Sequence, residues 1–180
     1  LVVLSESLIT TLFYQGEMTP RDVTMASYSL SAYGLGLLGH MLVKVLAPGY
    51  FSRQDVATPV RYGMIALVAN MVLNLLLVWE FKHAGLALAT SLSAFLNAGL
   101  LFYGLRRAGI LVFNRGWQRF GLQVFLANGA MCGVLVLISP DQVAWLVMPF
   151  WERLGVMLLI CAGGTATYAA VLQFLGFKFK

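Results

Sequence analysis

Apolar residues in this chain run in stretches of about 20, the length an α-helix needs to cross a hydrocarbon core of roughly 30 Å. Short polar breaks separate them, and six membrane segments are predicted. The first, 1–14, is read as the truncated end of a longer helix, closed by the polar turn Gln15-Gly16-Glu17. Thr19-Pro20-Arg21-Asp22 starts the second, 20–46. Thr19 serves as N-cap, Pro20 takes the first helical position and Asp22 reaches back to close a capping box. Pro48-Gly49 is expected to end that helix, leaving 47–58 as a loop that holds Ser52-Arg53-Gln54-Asp55. Residues 59–105 form an antiparallel hairpin, its arms 59–79 and 84–105 joined by Glu80-Phe81-Lys82-His83. A basic loop, 106–116, leads to a terminal helix pair, 117–174, broken at Ser139-Pro140-Asp141, and to a tail, 175–180. The expected fold class is all-α, a polytopic membrane protein with six transmembrane segments, the first truncated.

Composition makes lipid the solvent. Apolar residues are 60% of the chain and charged ones 11%, with a mean hydropathy of +0.83. Soluble domains carry roughly 25% charged residues. The net charge of +5 is distributed as membrane topology rather than as a nucleic-acid footprint. Lys44, Arg53, Arg61, Arg106, Arg107, Arg115, Arg119, Lys178 and Lys180 fall on one side, against Arg21, Lys82 and Arg153 on the other. The second side also holds Glu17, Asp22, Glu80, Asp141 and Glu152. Positive residues mark the cytoplasmic side, so the carboxy terminus is expected inside. Trp79, Trp117, Trp145 and Trp151 lie near segment ends, where interfacial aromatics are expected. Cys132 and Cys161 sit within apolar stretches and read as small buried hydrophobes, with neither disulfide nor metal expected. No catalytic residues, nucleophile–base set, phosphate loop or cofactor motif is expected, which points away from an enzyme. The chain opens with Leu1-Val2-Val3-Leu4, without Met or a signal-peptide pattern, as expected of a piece cut from a longer protein.

Polar side chains inside spanning helices are costly and therefore candidates for function. At about 100° per residue, Asp22, Ser29, Tyr33, Gly36, His40 and Lys44 share one face of the second segment. Tyr33, His40 and Lys44 are the candidate lining of a route for an anionic head group. The structural alternative has Lys44 extending to the interface and His40 bonding a neighbouring helix. In the hairpin, Asn74 and Thr90 lie at equal depth, and Asn70 sits near Ser93. Oxygens of Asn70, Asn74 and Thr90 could help hold a monovalent cation, although interhelical hydrogen bonding serves the same residues. Glu6 is a candidate buried carboxylate. Gly129 and Gly133 form a GxxxG pattern, expected to pack against Gly163-Gly164.

The run Val43-Lys44-Val45-Leu46-Ala47-Pro48-Gly49-Tyr50-Phe51-Ser52-Arg53-Gln54-Asp55, followed by Thr58-Pro59-Val60, resembles a signature of the lipid II flippases (MurJ/MviN). These belong to the multidrug/oligosaccharidyl-lipid/polysaccharide exporter superfamily. Leu12-Phe13, the run from Lys82-His83-Ala84-Gly85 to Leu86-Ala87-Leu88, and Leu175-Gly176-Phe177-Lys178 extend the likeness over the whole chain. The resemblance implies the carboxy-terminal portion of a fourteen-helix flippase in the bacterial inner membrane. Residues Pro48, Gly49, Arg53, Gln54 and Asp55 would then be a cytoplasmic gate or loop motif. The implied substrate is lipid II, the lipid-linked peptidoglycan precursor, moved between leaflets by alternating access. Segments 117–138 and 150–174 would form a groove for its polyprenyl tail. Other implied partners are membrane lipids and the protein's missing amino-terminal helices, not nucleic acid. Where some members carry an acidic residue at an ion site, this chain has Asn74, which leaves coupling open between Na+, H+ and membrane potential. Two other classes stay open: a drug or other polysaccharide-lipid exporter of the same superfamily, and a non-transporting membrane fragment.

Overall fold

The computed structural model describes residues 2–14, 19–111 and 116–175. The Gln15-Gly16-Glu17 turn, Arg115 and the Lys178-Phe179-Lys180 tail lie outside them. Six helices follow in order: α1 (Ser5–Phe13), α2 (Pro20–Phe51), α3 (Ala57–Arg107), α4 (Gly116–Ile138), α5 (Gln142–Val147) and α6 (Phe150–Phe174). Among the described residues, five helical stretches are long and apolar enough to cross a membrane, and α1 is not one of them. Two compact units divide the chain, one built on 24–112 and the other on 3–23 with 113–180.

The start of α2, which falls in the second unit, is as the capping residues predict. Thr19 N–H donates to Asp22 Oδ2 at 3.0 Å, and Asp22 N–H donates to Thr19 Oγ1 at 3.4 Å. Its end is a correction. Helix α2 continues through Pro48 and Gly49 to Phe51, so neither residue belongs to a loop. The terminator is Gln54, whose φ of 60° places it in the left-handed region. Gln54 N–H donates to Phe51 O at 2.9 Å and Asp55 N–H to Tyr50 O at 3.2 Å, which satisfies two of the helix's last carbonyls. The same device closes α3: Gly109, φ 68°, donates to Arg106 O and Ile110 donates to Leu105 O, both at 3.1 Å. Glycine is the usual residue at this position. At Gln54 the bulkier residue hides it.

Helix α3 is helical throughout, yet it doubles back on itself. Its arms, Ala57–Glu80 and His83–Arg107, lie side by side. Asn70 Nδ2 donates to Ser93 Oγ at 2.9 Å across the pair. A Cβ at Gly85 would fall 2.8 Å from the carbonyl carbon of Leu77, so only glycine permits the fold-back at that closeness. The second arm packs against α2, and Leu46, Tyr50, Leu101 and Leu105 form a buried cluster there.

In the second unit, α4 and α6 pair much as expected, and Gln123 Nε2 donates to Leu175 O at 2.8 Å. The GxxxG expectation fails. Gly129, Gly133 and Gly163 face open space, and the close approach is Gly164 against Leu135. A short helix unseen in the sequence, α5, occupies part of the 139–149 break. It carries Trp145 into a core with Leu4, Leu135, Met157 and Ile160. At 2% exposure, Trp145 is a core residue and not an interfacial anchor.

Candidate functional site

Small residues decide how α2 meets the second arm of α3, and so which of its faces remains open. Ala32, Gly36, Gly39, Leu46 and Tyr50 are buried. A Cβ at Gly39 would lie 2.9 Å from the backbone nitrogen of Phe95, and one at Gly36 would lie 2.9 Å from Ser91 Cβ. The single O–H of Ser91 is shared between Ala32 O, 2.6 Å from Oγ, and Ala87 O of its own helix, 2.9 Å away. Tyr50 Oη donates to Leu101 O at 2.8 Å. Hydrogen bonds and near-backbone contact thus fix the rotation of α2 about its axis.

With the rotation fixed, Tyr33, His40 and Lys44 all project on an exposed flank. It lies roughly a right angle around the helix from the packed face, given about 100° per residue. Eleven residues separate Tyr33 from Lys44, so the flank extends about 16 Å along the axis, half a hydrocarbon core. Gly36, predicted on the same stripe, is instead buried against Ser91. Leu38 and Leu42 are exposed on the remaining side of α2.

The hairpin polar cluster is an interhelical network. Asn74 Nδ2 donates to Asn70 Oδ1 at 2.7 Å, Asn70 donates to Ser93, and Ser93 Oγ donates to Thr90 O at 2.9 Å. Thr90 therefore joins through its backbone carbonyl, while its hydroxyl donates to Leu86 O at 2.9 Å. Among the described residues, Asn74 Oδ1 is buried without a partner, and so is Asn97 Oδ1. Hard cations take six or more oxygens. Asn70 Oδ1 and Ser93 Oγ are already engaged in hydrogen bonds, which leaves Asn74 Oδ1 as the free carbonyl of this set. Among the described residues, no group of three or more His, Cys, Asp or Glu side chains is placed to hold a metal.

The loop motif is a corner between two helices. Pro48 and Gly49 lie inside α2, where a Cβ at Gly49 would sit 3.1 Å from Leu105 Cδ2. Gln54 turns the chain, and Asp55 Oδ1 accepts the Thr58 N–H at 3.0 Å to cap the start of α3. Hydrogen bonds from the side chain and backbone of Thr58 hold the Asp55 carboxyl below its ordinary value. Arg53 is exposed at this corner.

Sequence reasoning missed two features. One is a cavity of about 640 Å³ lined by Met25, Tyr28, Leu35, Glu80, His83 and Leu88, on the opposite side of α2's packed face from Tyr33 and His40. Its lining is almost wholly apolar, so no polar periodicity signals it. The other is Arg153, 7% exposed and hydrogen-bonded to backbone carbonyls. The sequence places it only on one side of the membrane; the single basic residue of α6 is the available signal.

The family model described as lipid II flippase MurJ matches residues 1–155. A "Probable lipid II flippase MurJ" of Vibrio cholerae is 45% identical over 180 residues, covering 100% of this chain and 34% of the relative. One of Haemophilus influenzae is 40% identical, covering 99% of this chain and 35% of the relative. A "Lipid II flippase MurJ" of Burkholderia cenocepacia is 36% identical, covering 96% and 34%. The chain spans about a third of the length of these curated relatives.

Proposed function

Because the chain belongs to the lipid II flippase MurJ family, we propose that it is the carboxy-terminal part of a transporter that moves lipid-linked peptidoglycan precursor across the bacterial inner membrane. The observation that carries this reading, beside the family, is the exposed flank of Tyr33, His40 and Lys44 on a helix long and apolar enough to span a membrane. A polar flank in lipid is costly unless it faces water, a partner helix or a polar substrate. Lys44 supplies an ammonium and His40 an imidazole, both suited to an anionic head group. Helices α4 and α6 expose large apolar side chains, including Phe125, Leu137 and Leu159, that suit a polyprenyl tail. Alternating access would move the head group along the flank while the tail stays in lipid. The asymmetry of basic residues supports a cytoplasmic carboxy terminus and a cytoplasmic corner at Arg53-Gln54-Asp55; a reporter fused after Lys180 tests the side.

The deciding experiment replaces His40 and Lys44 together in the full-length protein. It follows translocation of the precursor in vesicles and growth of cells lacking the wild-type copy. Loss of both at unchanged protein level is expected, and full activity of the double variant would remove the flank from the mechanism. If drug efflux were lost instead while wall synthesis continued, the exporter reading would replace this one. Coupling to Na+ through Asn70, Asn74 and Thr90 is tested by translocation with and without a sodium gradient. Asn74→Ala is expected to abolish any sodium dependence. Dependence on a proton gradient or on membrane potential, with none on sodium, would assign the cluster to helix packing.

A further inference from the structure

Arg153 stands in the first turn of α6. Its Nε donates to Met148 O at 2.7 Å and Nη2 to Leu146 O at 3.0 Å. Nη1 donates to Thr10 O at 3.4 Å and to Tyr14 O at 3.2 Å. The guanidinium carbon lies 5.2 Å from the centroid of the Tyr14 ring. Each of these carbonyls belongs to a helix end. Thr10 and Tyr14 close α1, and Leu146 and Met148 close α5. The last carbonyls of a helix lack intrahelical donors and carry the negative end of its dipole. One planar fork therefore serves the Tyr14, Leu146 and Met148 carbonyls and adds a second donor at Thr10 O, which already accepts the Tyr14 N–H at 3.3 Å, while rooted in a third helix.

The chemistry of the side chain matters here. A guanidinium presents five N–H donors in a fixed plane, whereas an ammonium is a point charge on a flexible stem. A lysine at 153 could not engage both helix ends in this geometry. Burying a charge is costly, and a charge kept only for membrane orientation would sit in the head-group region. Apart from this fork, α1 is tied down mainly by the packing of one face: Ser5, Ser7, Thr10 and Thr11 are buried, whereas Leu12 and Phe13 are exposed. The Thr10 and Thr11 hydroxyls are turned onto α1's own carbonyls, Glu6 O at 2.8 Å and Ser7 O at 2.6 Å.

We infer that Arg153 is a positioning residue that locks α1 to α5 and α6, so that the three travel as one body through the transport cycle. The inference rests on the transporter reading for the word cycle, and on this geometry alone for the lock. Motion between alternate states is then taken up at other seams, and the end of α1 keeps a constant distance from the start of α6.

The test uses the full-length protein in lipid vesicles, with nitroxides at Phe13→Cys and Trp151→Cys, both exposed positions. Pulsed electron-paramagnetic-resonance distances are recorded with and without lipid-linked precursor, while translocation is followed in parallel. One narrow distance is expected, the same in both conditions. Arg153→Gln should turn it into a broad distribution and slow translocation per folded molecule. Arg153→Lys should keep the protein level and still broaden the distance. A wild-type distance that shifts when precursor is added would overturn the lock. So would an Arg153→Lys distribution as narrow as the wild type. If Arg153→Gln does not accumulate, the wild-type and lysine measurements decide alone. A wild-type protein that keeps the single distance but moves no precursor would refute the transporter reading and leave the lock standing.

Discussion

Adding one methyl group at Gly39 should separate α2 from the second arm of α3. An alanine Cβ there would meet Phe95 N at 2.9 Å and the Ala94 carbonyl carbon and Cβ at 3.0 Å. Ordinary contact begins near 3.4 Å, and two of these atoms are backbone that cannot rotate away. The helices must therefore part by about half an ångström, a gap that forfeits about a quarter of each dispersion contact along the seam. Overpacking of this kind costs about 1–3 kcal/mol. Alanine returns about 0.5–1 kcal/mol of helix propensity over glycine. Gly63 and Gly99 supply the control, because among the described residues a Cβ at either meets nothing within 4 Å. Gly99→Ala should be neutral or slightly stabilising, which places Gly39→Ala about 2 kcal/mol below it, more than tenfold in the unfolding equilibrium. Reversible unfolding of the full-length protein in mixed micelles by a denaturing detergent reads the difference. Equal midpoints for Gly39→Ala and Gly99→Ala would refute the account of close backbone approach.

Other expectations come from the same geometry. Gln54→Gly should raise stability by about 1 kcal/mol, since glycine occupies the left-handed region without the cost a side chain brings, and the same unfolding titration measures it. Tyr50→Phe removes the bond to Leu101 O and should lower stability by about 1 kcal/mol in that assay. The Asn70–Ser93 bond should be worth about 0.6 kcal/mol in a double-mutant cycle of Asn70→Ala and Ser93→Ala, the usual scale inside membranes. Hydrogen bonds from Thr58 hold the Asp55 carboxyl below the ordinary aspartate value of 3.8. Its contribution to stability is then complete above that pH and is lost as pH falls through the lower folded value. Asp55→Asn should flatten this acid limb, and carboxyl carbon shifts measured against pH should show the depressed titration directly.

Helix existence and helix ends were legible to different degrees. The 150–174 segment, the hairpin arms and the Thr19–Asp22 box follow from apolar length and capping chemistry, which are local. The stripe on α2 was also legible, because periodicity alone brings Tyr33, His40 and Lys44 to one face. What sequence could not say is which neighbouring face the helix packs, and Gly36 moved from the open flank to the seam for that reason. The Pro48-Gly49 pair misled because both residues usually punctuate soluble helices. In a spanning helix the proline is tolerated, and the glycine is spent on contact with Leu105. Arg153 and Trp145 were misplaced for a related reason. Each sits near a segment end, where the composition rule says interface, yet α5 turns Trp145 into the core and the ends of α1 and α5 enclose Arg153. The GxxxG pair shows the opposite error, a packing motif with none of the described residues packed on it.

The proline at position 48 has a mechanical corollary. It has no N–H to offer the carbonyl four residues earlier, which belongs to Lys44. The ladder of α2 thus lacks a rung beside the cation of the polar flank, between the segment clamped at Gly39 and the corner at Gln54. A rod missing one tie bends there before it bends elsewhere, while still carrying twist along its length. Load applied at the corner would flex α2 at the level of Lys44 and leave the Gly36–Ser91 seam in register.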